Sequence, residues 1–339
     1  MKLIPTEKAA GHVLCHDMTQ IIPGQYKDAR FRKGHVVREE DIPVLLSMGK
    51  EHLYVWEMTP GMVHEDDAAK RLCALCQNQG MDQSPVKEGK IELTAARDGL
   101  FLVDSLRLNA VNALEDIMVA TRHGGTAVRR GDKLAGTRVI PLVIQEETLR
   151  QAEEAAGSTP LLELVPWKLK SAAIIATGSE VAKGLIQDAF TPVVEKKLAE
   201  FGIETLVRRT PGDGPEAVKA AVLEAKASGV DLILCTGGMS VDPDDNTPGA
   251  IRRTGAHIVT YGAPVLPGAM FLLGYFQDGT PVMGLPGCVM YAKRTIFDLV
   301  LPKIAAGVPV TRADITRMGE GGLCLGCEVC TYPNCGFGK

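Results

Sequence analysis

Val230-Asp231-Leu232-Ile233-Leu234-Cys235 runs directly into Thr236-Gly237-Gly238-Met239-Ser240-Val241-Asp242-Pro243-Asp244-Asp245-Asn246-Thr247. The short apolar run reads as a buried strand. The glycines behind it let backbone amides approach an anion closely. The hydroxyls and carboxylates beyond suit a metal ion or a proton. A plain strand-to-helix turn with a solvated acidic rim has the same composition. Ligand sites in open α/β sheets lie at strand C-termini, which favours the reading as a site.

Around this stretch, the 339 residues are 45% hydrophobic and 23% charged, with a formal net charge of −4. That length predicts two or three domains. The negative balance argues against a non-specific nucleic-acid binder. No apolar run approaches the roughly 18 residues of a spanning helix, and Met1-Lys2-Leu3-Ile4-Pro5 does not read as a signal peptide. The expectation is a cytoplasmic protein with neither a membrane nor a nucleic acid as partner. Of nine cysteines, four crowd into the last sixteen residues, and in such a chain that clustering points to metal rather than to cystine.

The flanking sequence sets the fold class. Up to about Glu57, short strand-like pieces alternate with turns at Pro23-Gly24 and Arg32-Lys33-Gly34. Asp41 reads as the N-cap of a helix over 42–48, with Pro43 in its first turn and Gly49 closing it. Leu53-Tyr54-Val55-Trp56 reads as a strand. Helical spacing follows over 65–79 and 106–123, strands over 100–103 and 139–144, and a helix over 146–156. Gly157-Ser158-Thr159-Pro160 is the best linker candidate. Beyond it, strands at 172–176, 203–207, 231–235 and 281–285 alternate with helices at 188–200, 215–228 and 290–304, with a hairpin-like stretch at 256–276. This alternation predicts an α/β domain, a mostly parallel sheet with helices on both faces, behind smaller N-terminal α+β or β-rich domains. The expected division is 1–60, 61–165, 166–312 and a Cys-rich tail at 313–339.

Loops after three strands of that sheet are expected to converge on one crevice. They are Thr177-Gly178-Ser179-Glu180, the stretch from Thr236 to Thr247, and Leu285-Pro286-Gly287-Cys288. Each alone is weak, since Thr-Gly-Ser-Glu is also a plain helix N-cap and Leu-Pro-Gly a common turn. Ile175-Ala176-Thr177-Gly178-Ser179-Glu180-Val181, the Thr-Gly-Gly-Met-Ser loop, Pro267-Gly268 and Gly284-Leu285-Pro286-Gly287 occur in an order and spacing that resembles the molybdopterin-binding domain. That domain is shared by molybdenum insertases, molybdopterin adenylyltransferases and CinA-like proteins. The N-terminal pieces Ala10-Gly11-His12-Val13-Leu14, Arg32 to Val37 and Leu46-Ser47-Met48-Gly49 resemble the insertases more faintly.

The resemblance implies a site for molybdopterin or adenylylated molybdopterin, with molybdate as co-substrate and a homodimer as assembly. Its substrate-binding residues would be Thr177, Gly178, Ser179, Thr236, Gly237, Gly238, Ser240, Pro267, Gly268, Pro286 and Gly287. Asp245, Asp242 and Glu180 would be catalytic. Asp242, Asp244 and Asp245 would position a divalent cation such as Mg2+. The chain departs from the insertase pattern where Ser179 replaces an Asp, and where Leu266-Pro267-Gly268-Ala269-Met270 replaces Lys-Pro-Gly-Lys-Pro. The implied function is metal transfer to the pterin dithiolene. Alternatives are a non-catalytic cofactor carrier or regulator that docks a molybdoenzyme, and a CinA-like nucleotide pyrophosphatase.

Cys324, Cys327, Cys330 and Cys335 form a second signal, separated by two, two and four residues. The run approaches the ferredoxin pattern, and four thiolates equally satisfy tetrahedral zinc. An iron–sulfur cluster or Zn2+ is expected there, with an unmetallated or transiently binding tail as the third reading. Cys73 and Cys76, on a predicted helix with an apolar face, read as core.

Overall fold

Six strands of the C-terminal half form one sheet in the computed structural model of the chain. They are β1 (Ser171–Ala176), β2 (Glu204–Arg209), β3 (Leu232–Thr236), β4 (His257–Tyr261), β5 (Leu272–Tyr275) and β6 (Pro281–Leu285). The order across the sheet is β2-β1-β3-β6-β5-β4. The first four run parallel, while β5 is antiparallel to both β6 and β4. The structure describes residues 2–22, 26–55, 60–178, 187–212, 214–240 and 245–339.

Strand periodicity sorts this sheet's core. Ala172, Ile174, Leu232, Leu234, Met283 and Leu285 face Val194 and Leu198 of helix α1 (Phe190–Ala199), with Phe297 and Val300 of α4 (Ile296–Ala305). Their alternates Ala173, Ile175, Ile233, Cys235 and Val282 face Val222 and Ala225 of α2 (Pro215–Ala227), with Ile251 of α3 (Thr247–Arg253). Strands buried on both faces explain the unbroken apolar runs. The chain leaves β1 over α1 to β2, then crosses back over α2 on the opposite face to β3. The order therefore reverses between β1 and β3, and the crevice at such a switch point is where ligands bind. In register, Ala176 pairs with Thr236 and Thr236 with Leu285, so three strands end level.

Two compact units account for the chain. The first holds Met1–Arg97, Leu102–Gly124 and Arg130–Leu164; the second holds Asp98–Phe101, Gly125–Arg129 and Val165–Lys339. The first unit contains hairpins and small sheets. Lys2–Pro5 pairs with His52–Val55, and Lys90–Ala95 with Lys133–Val139, which also pairs with Ile117–Thr121. Cys73 and Cys76 are buried in the helix Glu65–Cys76.

Four sequence expectations change. Asp41 does not cap the helix Ile42–Ser47; its carboxylate accepts from the Arg38 amide at 2.9 Å and faces His35 Nε2 at 2.7 Å. The stretch 106–123 is not one helix but a helix Ser105–Asn112 and a strand Ile117–Thr121. Asn112 ends the helix by giving its side chain to the Val119 backbone, and β-branched residues take over. The strand expected at 139–144 breaks at Ile140 and Pro141, between strands Lys133–Val139 and Val143–Gln145. The closing helix begins at Ile296, not at 290, because Thr295 and Asp298 form a capping box there. Gly157 to Pro160 is tied within the first unit by Arg107, which donates to the Thr159 carbonyl at 2.7 Å and the Pro160 carbonyl at 3.1 Å. Trp56 lies outside the described residues.

Candidate functional site

The loops leaving β1 and β3 are locked together where the strand order reverses. The Thr177 amide donates to the Thr236 carbonyl at 2.8 Å, and its hydroxyl donates to the same carbonyl at 3.0 Å. That hydroxyl also lies 3.2 Å from the Thr247 hydroxyl, at the start of α3. Space there is so tight that a Cβ on Gly237 would stand 2.2 Å from the Thr177 carbonyl oxygen, and one on Gly238 2.8 Å from the Thr247 hydroxyl. Gly237 also takes φ +83°, which L side chains rarely adopt. Both glycines of the Gly-Gly pair are therefore required by geometry.

These loops open onto a cavity of about 490 Å³, within the range of small-molecule sites. Gly237, Gly238 and Ser240 form one wall, Gly268, Ala269 and Met270 a second, and Pro286, Gly287 and Cys288 a third. Asp245 reaches it as well. The Ser240 amide donates to Asp245 Oδ2 at 2.8 Å, so the Asp245 carboxylate is held against the glycine loop. Gly268 is forced too, since a Cβ there would stand 2.4 Å from Ile296 Cγ2.

Of the residues expected to bind substrate, Gly237, Gly238, Ser240, Gly268, Pro286 and Gly287 line this cavity. Thr177 and Thr236 are buried behind it and act as its frame. Pro267 faces a different cavity, described below. Gly178 follows Thr177 with φ +145°. Ser179, Glu180, Asp242 and Asp244 lie outside the described residues, so of the expected carboxylates only Asp245 is placed.

Two tyrosines had no sequence signal. Tyr261, on edge strand β4, donates from its hydroxyl to the Met239 carbonyl at 3.0 Å and braces the loop. Burial pushes its hydroxyl pKa up, Arg252 opposes that, and Asp245 adds to it. Arg252 lies over the Tyr261 ring at 5.5 Å. Tyr291, lining the cavity beyond the Pro-Gly turn, is 78% exposed.

The four tail cysteines border one further cavity, of about 470 Å³, with Lys293 and Arg294 in its wall. Cys327 and Cys330 are exposed, Cys324 and Cys335 half-buried. Among the described residues, no three His, Cys, Asp or Glu side chains are grouped to hold a single metal ion. No helix of the described residues is long and apolar enough to cross a membrane.

Residues 173–306 match the family described as a probable molybdopterin binding domain, and residues 3–57 match one described only as a domain of unknown function. A CinA-like protein of Mycobacterium sp. (strain JLS) is 38% identical over 82 residues, 24% of this chain and 20% of that protein. A molybdopterin molybdenumtransferase of Synechococcus elongatus is 26% identical over 178 residues, 49% of this chain and 42% of that protein. The chain thus spans less than half the length of the curated relatives it matches here. Among solved structures, the molybdopterin biosynthesis enzyme MoaB of Thermus thermophilus is 23% identical, over 42% of this chain and 99% of that one, with a TM-score of 0.34. The doubly wound sheet and its crevice thus lie within the stretch that matches a probable molybdopterin binding domain.

Proposed function

We propose that this protein binds molybdopterin in the cavity between the Gly237 and Gly287 loops and serves molybdenum cofactor biosynthesis in an insertase-like role. The observation behind this reading is the crevice itself. Glycine-forced backbone from level strand ends meets one carboxylate, Asp245, held at 2.8 Å from the Ser240 amide. Backbone amides of the glycine loop would hold the pterin's terminal phosphate. Asp245, with Asp242 and Asp244 from the same loop, would position a divalent cation such as Mg2+ against an adenylyl phosphate or an oxyanion. Glu180 completes the proposed catalytic set. Molybdate is the second substrate, and the homodimer and the division at 60, 165 and 312 belong to the same proposal.

A second reading has its own support. Ala269 lines the cavity where the resemblance implies a lysine, and no Lys or Arg is among the described residues lining it. A carrier that delivers the finished cofactor to a molybdoenzyme needs binding and no turnover. Incubation with adenylylated molybdopterin and molybdate separates the two. Release of AMP that Asp245→Ala abolishes supports the insertase-like role, and tight binding without release supports the carrier. Hydrolysis of ADP-ribose with no affinity for pterin would defeat both and favour a CinA-like pyrophosphatase.

A further inference from the structure

Strand β6 hands over to one short helical turn, Gly287–Met290, with Tyr291 directly behind it. This turn is anchored in the core. Val289 is fully buried and its amide donates to the Pro286 carbonyl at 3.0 Å, while the Ala292 amide donates to the Cys288 carbonyl at 2.8 Å. The residues that follow the anchor do the opposite. Met290 is 42% exposed and Tyr291 78%, and both line the crevice. A single exposed apolar side chain is ordinary, but two in succession on the rim of a cavity have the composition of a ligand groove. Among the described residues Tyr291 makes no side-chain hydrogen bond and no ring contact. Tyr261 differs, since its hydroxyl is committed to the Met239 carbonyl and its ring to Arg252.

The lining of the crevice divides by charge. Its glycine loop brings backbone amides and the Asp245 carboxylate, whereas from Gly268 to Met270 and from Pro286 to Tyr291 no lining side chain is charged. A phosphate belongs with the amides. An uncharged flat ring belongs with the second group, where the Met270 and Met290 thioethers and the Tyr291 face are polarisable partners for a π system. We infer that Tyr291 is the platform on which a flat heterocycle stacks while its phosphate is held by the Gly237-Gly238 loop. The inference rests on the binding proposed above and adds the ligand's orientation to it. Tyrosine suits the task, because its rigid ring has few torsions to fix and the anchored turn has already fixed its backbone. The ligand class is a nitrogen heterocycle carrying a phosphate, a chemistry that a pterin and an adenine nucleotide share.

The test titrates the full chain with oxidised molybdopterin, with AMP and, as a ring-free probe, with glycerol phosphate. Tyr291→Ala should weaken binding of at least one ring ligand by about five- to a hundredfold. Glycerol phosphate should be bound alike by wild type and variant. Circular dichroism should not change, because the side chain is exposed. Tyr291→Phe should keep the wild-type affinity, since the ring face and not the hydroxyl makes the contact. A loss confined to the pterin assigns the platform to the pterin ring, and a loss confined to AMP assigns it to adenine. Wild-type affinity of Tyr291→Ala for both ring ligands, or an equal loss with glycerol phosphate, overturns the inference. Pterin bound equally by wild type and Tyr291→Ala would leave the proposed function standing without the platform. AMP bound through Tyr291 by a protein with no affinity for pterin would leave the platform standing without that function.

Discussion

The two cavities of the second unit share a wall and are built in opposite ways. Gly268, Ala269 and Met270 face the crevice of the Gly237 and Gly287 loops, while Pro267 beside them faces the cysteine cavity. Behind the crevice stand three strand ends in register and glycines that admit no Cβ. Its shape is settled by backbone geometry before any ligand arrives. The cysteine cavity is bounded by irregular chain tied down at a few points, with two of its thiols in solvent. One site is shaped by the sheet, and the other by a few ties along irregular chain.

Their common foundation is the start of α4, and breaking it should have the largest effect. Asp298 is buried with Lys197 Nζ at 2.5 Å and Arg294 Nη1 at 2.9 Å, and it accepts the Thr295 amide at 2.7 Å. Asp298→Ala leaves the buried Lys197 without its carboxylate, a change that costs about 3–5 kcal/mol. Because Ile296 packs under Gly268 and the Asp298 carbonyl holds Tyr332, both cavities should suffer together. Denaturant unfolding with pterin binding and thiol labelling of the tail on the same samples would show it. Wild-type stability, or loss at only one cavity, would break the idea of a shared base.

Gly237→Ala should separate the sites. A side chain at φ +83° costs about 1–3 kcal/mol, and the 2.2 Å approach to the Thr177 carbonyl forces the two loops apart. Pterin affinity should fall at least about tenfold, while thiol labelling of Cys327 and Cys330 in the tail stays at the wild-type rate. A Gly237→Ala protein with normal affinity would mean that the phosphate sits elsewhere. Thr177→Val is the milder version. It removes a buried hydroxyl from the Thr236 carbonyl and the Thr247 hydroxyl, worth about 1–2 kcal/mol, and should weaken binding several-fold by the same titration.

The crevice was legible because its parts are local. A strand in this sheet is a short apolar run, and the loop after it begins at the next residue, so Thr236-Gly237-Gly238 and Leu285-Pro286-Gly287 could be placed from sequence alone. The same reasoning missed what acts across the chain. Tyr261 comes from an edge strand more than twenty residues beyond the loop it braces, and nothing around it marks it. Period reading also failed at 106–123, where Asn112 and the β-branched residues after it end a helix that the apolar spacing would have continued. Pro267 shows a subtler limit. Its neighbour Gly268 lines the crevice, but the bridge from Leu266 to Leu323 turns Pro267 toward the tail. No spacing within the loop encodes a partner near the chain's end.

The smallest predicted effect bears most directly on function. Leu266 and Ala269 stand where the insertase pattern has lysines, but they are not equivalent. Leu266 is held by backbone hydrogen bonds to Gly322 and Cys324, so a lysine there would start from the wall that the tail occupies. Ala269 lines the crevice and is only partly buried. Ala269→Lys therefore brings one flexible ammonium into a cavity whose expected ligand is an anion, without asking the loop to move. A single charge-assisted hydrogen bond in a partly solvated site is worth about 1 kcal/mol, or roughly a fivefold gain in affinity for the pterin phosphate that high salt should erase. Leu266→Lys should give less and should perturb the tail instead, read as faster thiol labelling of Cys324 and Cys335. If Ala269→Lys also creates AMP release where the wild type shows none, the two missing lysines are what separates a carrier from an insertase. If affinity rises and turnover stays absent, the difference lies in Ser179 or in the acidic loop.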